Sequence, residues 1–307
     1  MAILPREHLK SERTFQGVDA TFWVNFPVLT NDMRGAHDHD FAEIALITAG
    51  HGKHLSIYCE TKLARGDCVI LMPGAWHSYR VPECLEVANC CFRPALLRNE
   101  LTAVESDSAI AGLLDPAAWG SLKNNSSSSV QLKLRALLFD RALECIHLIH
   151  QHQNAREPAA FLERRGYFLL LLGLISRALS SDERKVWESA ALWPQSIRQC
   201  VGLIEKDLAR MWTLPQLATS VHLDPSYLGR LFRRHLGETP FEYIARRRME
   251  RAASLLLSTS LSVTEIGAQT GVEPPSYFAR RFRQHFACSA SNYRRKKRSE
   301  NKDIQKI

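Results

Sequence analysis

One phrase of this sequence occurs twice, fifty residues apart, and it dictates what the C-terminal part can be. The shift carries Pro225-Ser226-Tyr227 onto Pro275-Ser276-Tyr277. It carries Arg230, Phe232, Arg233 and His235 onto Arg280, Phe282, Arg283 and His285, Tyr243 onto Tyr293, and Ala218 onto Ala268. A repeat across so many residue types marks one supersecondary unit used twice.

Each copy reads as helix, tight turn, helix. Leu214 to Ala218 is a short amphipathic helix broken at Val221-His222-Leu223. Asp224 then serves as N-cap, with Pro225 at the first helical position, where a missing N–H costs nothing. Tyr227, Leu228, Leu231 and Phe232 recur at helical spacing as a buried face, leaving Ser226, Gly229, Arg230 and Arg233 outward. In the second copy Val263, Ile266 and Ala268 make the first helix and Gly271 allows the turn. Tyr277, Phe278 and Phe282 anchor a helix that exposes Pro275, Ser276, Ala279, Arg280 and Arg283. These are the marks of two helix-turn-helix motifs, each with a recognition helix. The helix predicted between them, Phe241 to Ser258, would hold the two about one turn of B-DNA apart, roughly 34 Å.

Charge is distributed to match. Residues 193–307 hold 20 Lys+Arg against 10 Asp+Glu, while residues 1–192 hold 20 against 22. The basic excess therefore lies with the repeat, as nucleic-acid binding requires. Arg233, Arg234, Arg283 and the run from Arg294 and Arg295 to Arg298 are assigned to phosphates, which position without specifying. Arg230 and Arg280, flanked by small residues, are assigned to base edges, where an arginine donates bidentately to guanine.

Residues 196–296 resemble the DNA-binding domain of the AraC/XylS family of bacterial transcription regulators. The resemblance rests on Tyr227-Leu228-Gly229-Arg230-Leu231-Phe232, Arg248-Met249-Glu250-Arg251-Ala252, Leu255-Leu256-Leu257, Val263-Thr264-Glu265-Ile266-Gly267, Ser276-Tyr277-Phe278 and Tyr293-Arg294. The chain departs from the family pattern at Val272, Ala287 and Ala290, and in having Pro274-Pro275 at the start of the second recognition helix. The resemblance implies double-stranded promoter DNA as a partner, RNA polymerase as another if the protein activates, and a homodimer.

The N-terminal part follows a different grammar. Thr21 to Phe26, Ile44 to Thr48 (ended by Gly50 and Gly52), His54 to Tyr58, Cys68 to Met72 and Leu85 to Phe92 read as short strands separated by turns, a small β-barrel or sandwich. His37-Asp38-His39, Glu43 and Gly50, followed by Gly66-Asp67, Pro73-Gly74 and His77, resemble the two motifs of cupin proteins over residues 20–95. That resemblance implies a cupin barrel. In metal-binding cupins His37, His39, Glu43 and His77 would ligate one divalent ion. In a metal-free sensor the same residues, with Trp76, Tyr79 and Arg80, would contact a small-molecule effector. The sensor is the expectation, with no cofactor.

Beyond Pro94 the sequence turns helical. Residues 124–129 are a polar turn. Leu132 to Ile149, and Pro158 to Leu179, form a helical hairpin that pairs two protomers or packs as core, with Leu170 and Leu174 on its pairing face. Ser180 to Glu188 is charged and links to a helix over Ile197 to Met211. His147, His150 and His152 are read as solvated rather than as a zinc cluster. The eight cysteines show no Cys-x-x-Cys spacing and most read as reduced core residues, and no apolar run reaches a membrane-spanning length.

The fold expected is α+β: a cupin-like effector domain (1–101), a helical dimerisation region (102–180), a linker (181–192), a double helix-turn-helix domain (193–298) and a polar tail (299–307). The function expected is a cytoplasmic, sequence-specific transcription regulator controlled by an effector, a sugar or other carbon source. The alternative is a metal-dependent cupin oxygenase or isomerase tethered to a DNA-binding domain.

Overall fold

The computed structural model describes residues 8–9, 15, 21–30, 37–56, 60–93, 107–114, 129–180 and 193–300. The polar stretch 124–128, the linker 181–192, Cys59 and the end of the tail lie outside them, as do the side chains of 296–300. The chain divides into two units, with the break between Leu192 and Trp193.

The N-terminal unit holds an antiparallel sheet built around one long strand, and a separate parallel pair of short strands, His8–Leu9 with Asp38–His39. In chain order the strands are β1 (His8–Leu9), β2 (Phe22–Asn25), β3 (Val28–Thr30), β4 (Asp38–His39), β5 (Ala42–Ser56), β6 (Glu60–Ala64), β7 (Asp67–Leu71), β8 (His77–Arg80) and β9 (Cys84–Phe92). The first half of β5 pairs with β7 and β9, and its second half with β6 and β8. The strand expected to stop at Gly50 therefore continues to Ser56. A register shift between Ile47 and Ala49 and the left-handed Gly50 (φ 77°) bend it instead of ending it. Gly50 is required because a Cβ there would overlap the Cys84 carbonyl. One strand thus bends from its pairing with β7 and β9 into its pairing with β6 and β8. Leu29, Ala45, Ile47, Val69, Leu71, Leu85 and Val87 belong to one buried apolar cluster.

Helix α1 (Ser108–Leu114) was not foreseen. Ser129–Lys133 is a strand, β10, antiparallel to β7, and not the first turn of the hairpin. Its Val-Gln-Leu-Lys alternates with period two, a pattern hidden by the leucine-rich helix that follows. The hairpin proper is α2 (Ala136–His152) and α3 (Pro158–Ala178). Leu174 is 1% exposed, so it belongs to the core; the outward apolar residues are Leu137, Phe161, Leu162 and Leu170. His147 and His150 both pack on Phe26, with ring centroids 4.5 and 5.2 Å away, while His152 lies 3.5 Å from Glu163; among the described residues the three do not form a metal-capable group.

The C-terminal unit is all helical: α4 (Gln195–Lys206), α5 (Leu214–Ser220), α6 (Pro225–Leu236), α7 (Pro240–Ser258), α8 (Val263–Gln269), α9 (Pro275–Phe286) and α10 (Ala290–Glu300). Helices α5, α7 and α8 open on capping boxes, Thr213 with Gln216, Thr239 with Glu242 and Ser262 with Glu265. Helix α4 ends at Lys206, short of the expected Met211. The carbonyls of Leu208, Ala209 and Arg210 accept from the Arg248 guanidinium, and that of Asp207 accepts from the Trp212 indole. Side-chain donors hold the chain out of the next turn.

Candidate nucleic-acid interface and effector site

The recognition helices α6 and α9 each bury one stripe and present the other. Leu228, Leu231, Phe232 and Leu236 are inward on α6, and Phe278 and Phe282 on α9. Ser226, Arg230, Arg233 and Arg234 on α6 and Pro275, Ser276, Ala279, Arg280 and Arg283 on α9 are exposed, and Gly229 is half-buried. Two expected anchors do not sit where the spacing put them. Tyr227 is 44% exposed and Tyr277 40%. Each lies under the arginine one turn later: the Arg230 guanidinium is 5.6 Å from the Tyr227 ring centre, and that of Arg280 is 5.4 Å from Tyr277. Leu228 and Phe278 close the core in their place. The two copies also start differently. Asp224 accepts from the backbone of Ser226 and Tyr227, whereas Pro274 caps α9 without a side-chain bond.

Several arginines counted in the basic excess are internal. Arg246 pairs with Glu238 at 2.7 Å and Glu250 at 3.0 Å, and Arg247 pairs with Glu205 at 2.7 Å and Glu250 at 2.5 Å. Burial would raise the Glu205 carboxyl, but Arg247 beside it outweighs this and holds it below its ordinary value. Tyr243 donates to the same carboxylate at 2.6 Å. Arg294, expected on a phosphate, donates to the carbonyls of Leu256 at 3.1 Å and Leu261 at 2.5 Å, while Arg295 is exposed.

In the N-terminal unit the sheet gathers four imidazoles. His37 bridges His77 through both backbone N–H groups at 3.0 Å. The ring centres of His37, His39 and His54 lie 4.2, 5.2 and 5.9 Å from that of His77. His54 was not singled out from the sequence. It faces the cluster because β5 pairs with β8 in the register His54 to Tyr79 and Ser56 to His77, and its ring lies 5.6 Å from Tyr79. Alternation along His54, Leu55 and Ser56 was its only signal. Trp76 and Tyr79 are buried nearby in sequence, whereas Arg80 is turned to Glu60 at 2.8 Å.

Burial sets the electrostatics. It lowers His39 to about 3, helped by His37, and His54 to about 4, again with His37 contributing. His77 is held well below its ordinary value by burial and by the other three. His39, His54 and His77 are therefore neutral at pH 7, each with one ring nitrogen able to accept. His39 Nδ1 lies 2.7 Å from the Phe41 carbonyl, which leaves Nε2 facing Glu43 Oε2 at 3.5 Å. Nε2 of His54, Nε2 of His77 and Nε1 of Trp76 are buried without a hydrogen-bond partner. A ligand supplying hydroxyls and lone pairs would satisfy them. His39, Glu43 and His77 also offer one donor atom each within 4.8 Å of one another, a set suited to a divalent transition ion. The four-residue set implied by the cupin resemblance contracts to these three, without His37.

This fold and these surfaces define a DNA-binding regulator that carries a ligand-binding domain. A family model described as an AraC-like ligand binding domain matches residues 29–170, and one described as a helix-turn-helix domain matches 217–296. With one on each unit, the chain joins an AraC-like ligand-binding domain to a helix-turn-helix domain, the make-up of an AraC-family transcription regulator. The transcription activator RhaR of Mannheimia succiniciproducens is 24% identical over 84% of this chain and 86% of its own. The lactose operon transcription activator of Staphylococcus xylosus is 36% identical over 33% of this chain, but the match spans only 36% of that protein. Among solved structures, ToxT from Vibrio cholerae aligns over 89% of this chain and 98% of its own at 15% identity, with a TM-score of 0.46. No helix among the described residues is long and apolar enough to cross a membrane.

Proposed function

We propose that this regulator is a cytoplasmic activator of the sugar-responsive kind, acting as a homodimer and recruiting RNA polymerase, with no enzymatic activity of its own. The observation that carries the DNA-binding part is the repeated outward pair of Arg230 and Arg280, one on each recognition helix, each laid over a tyrosine. Ser226, Gly229, Pro275, Ser276 and Ala279 let the backbone approach the groove, and Arg233, Arg234, Arg283 and Arg295 contact phosphates. Arg294 is withdrawn from that set.

The effector is a neutral polyhydroxy compound bound among His37, His39, Glu43, His54, His77, Trp76 and Tyr79. Neutral imidazoles with unpartnered Nε2 atoms favour hydroxyl groups over anions. One relative is named for the lactose operon, which supports a sugar. Domain limits of 1–101, 102–180 and 193–298 belong to the same reading. The test is a binding isotherm of the full chain on operator DNA, repeated with a panel of sugars. One sugar shifts the isotherm of the parent protein, and His77→Ala binds the same DNA but ignores the sugar. Equal response in both would place the effector elsewhere.

A further inference from the structure

Three consecutive arginines on α7, at 246, 247 and 248, have different jobs. The first two bind carboxylates of α4, of α7 itself and of the segment after α6. Arg248, at the middle of α7, reaches both motifs. Its Nε donates to the Leu208 carbonyl at 2.8 Å and its Nη2 to those of Ala209 and Arg210 at 3.2 and 2.7 Å, in the segment leading into the first motif. Its Nη1 donates to the Gly271 carbonyl at 2.7 Å, in the turn of the second. These are four charge-assisted bonds from one planar group to two chain segments that are far apart in sequence.

Gly271 makes the approach possible. It is left-handed (φ 69°), and a Cβ on it would overlap the Ala209 carbonyl, so the two segments touch backbone to backbone. Beside them lies a cleft of about 240 Å³, lined by Trp212, Phe241, Met249, Val272 and Tyr277.

We infer that Arg248, seated against Gly271, is the positioning residue that sets the spacing between the two recognition helices, and so the half-site spacing the protein accepts. This rests on the reading that both helices dock on DNA. Lysine keeps the charge but has no planar fork to hold both segments at once.

The test is selection of binding sites from a randomised duplex library by the full chain, for the parent protein, Arg248→Lys and Gly271→Ala, with the fold of each checked by thermal melting. The parent protein selects two half-sites at one spacing. Both variants select the same half-site bases but lose the spacing preference, with discrimination against a one-base-pair insertion falling about tenfold, the equivalent of about 1.4 kcal/mol. A folded variant that retains the parent spacing overturns the latch. Should either variant melt early, Arg248→Gln decides: its planar amide can reach one segment but not both, so a folded Arg248→Gln that keeps the parent spacing overturns the latch. A parent protein that selects only a single half-site would overturn the two-helix reading and the latch with it.

Discussion

An arginine in this protein is defined by what its guanidinium finds, and that divides residues that look alike in the sequence. Arg230 is exposed over a tyrosine ring; Arg294 is tied to two carbonyls. Replacing Arg230 by alanine should cost about 1–3 kcal/mol on the right site and relax preference at one base pair. Arg295→Ala should weaken all sequences alike and lower the salt dependence by about one counterion. Binding titrations on matched and mismatched duplexes at several salt concentrations separate the two. The histidine cluster carries its own signature. Folded His39 and His54 are protonated only near pH 3 and 4, against about 6.5 when unfolded. Between those values the unfolded chain binds more protons, so stability is full above about 6.5 and falls on acidification, by up to about 1.4 kcal/mol per pH unit for each imidazole. Urea midpoints of the N-terminal unit at pH 7.5 and 5.5 should show that fall, and His54→Gln should flatten it; midpoints that do not move would remove the buried neutral cluster. Ala287 is a smaller case. It occupies the left-handed region (φ 55°) where the first copy has Gly237 (φ 68°). Ala287→Gly should therefore stabilise the C-terminal unit by about 1 kcal/mol, read as a higher denaturation midpoint.

At the scale of elements, the helices of the repeat were legible because caps, prolines and a 3.6-residue period all agreed, with a second copy as a check. Tyr227 and Tyr277 were misplaced because periodicity reports one face of a helix and cannot say how much of it a short neighbour covers. Strand β5 was divided at Gly50 because a glycine that bends a strand and one that ends it look the same until the partner strands are known. His54 escaped notice for the same reason: only the pairing of β5 with β8 brings it to His77. The α2–α3 hairpin shows where length and apolar content mislead. Leu174 is core, while Leu162 and Leu170 are 69% and 43% exposed. If the hairpin pairs protomers, Leu162→Glu with Leu170→Glu should give folded monomers in sedimentation, and Leu174→Glu should unfold the unit instead. A folded dimer carrying both outer substitutions would move the interface elsewhere.

For the whole molecule, the charge division seen in the sequence describes two jobs at once. Part of the C-terminal excess is turned outward on α6 and α9, and part is spent inside on Glu205, Glu238, Glu250 and backbone carbonyls that hold the motifs in place. Net charge alone therefore overstates the DNA-facing potential, and the placement of each cation decides it. The central claim is that α6 and α9 enter successive major grooves on one face of the duplex. Hydroxyl-radical footprinting of the full chain on its selected operator tests it most directly. Each protomer should protect two patches on one face, about 10 base pairs apart, and Arg280→Ala should erase the patch of the second motif in each pair while sparing the first. A single patch per protomer, or both patches surviving in Arg280→Ala, would contradict it.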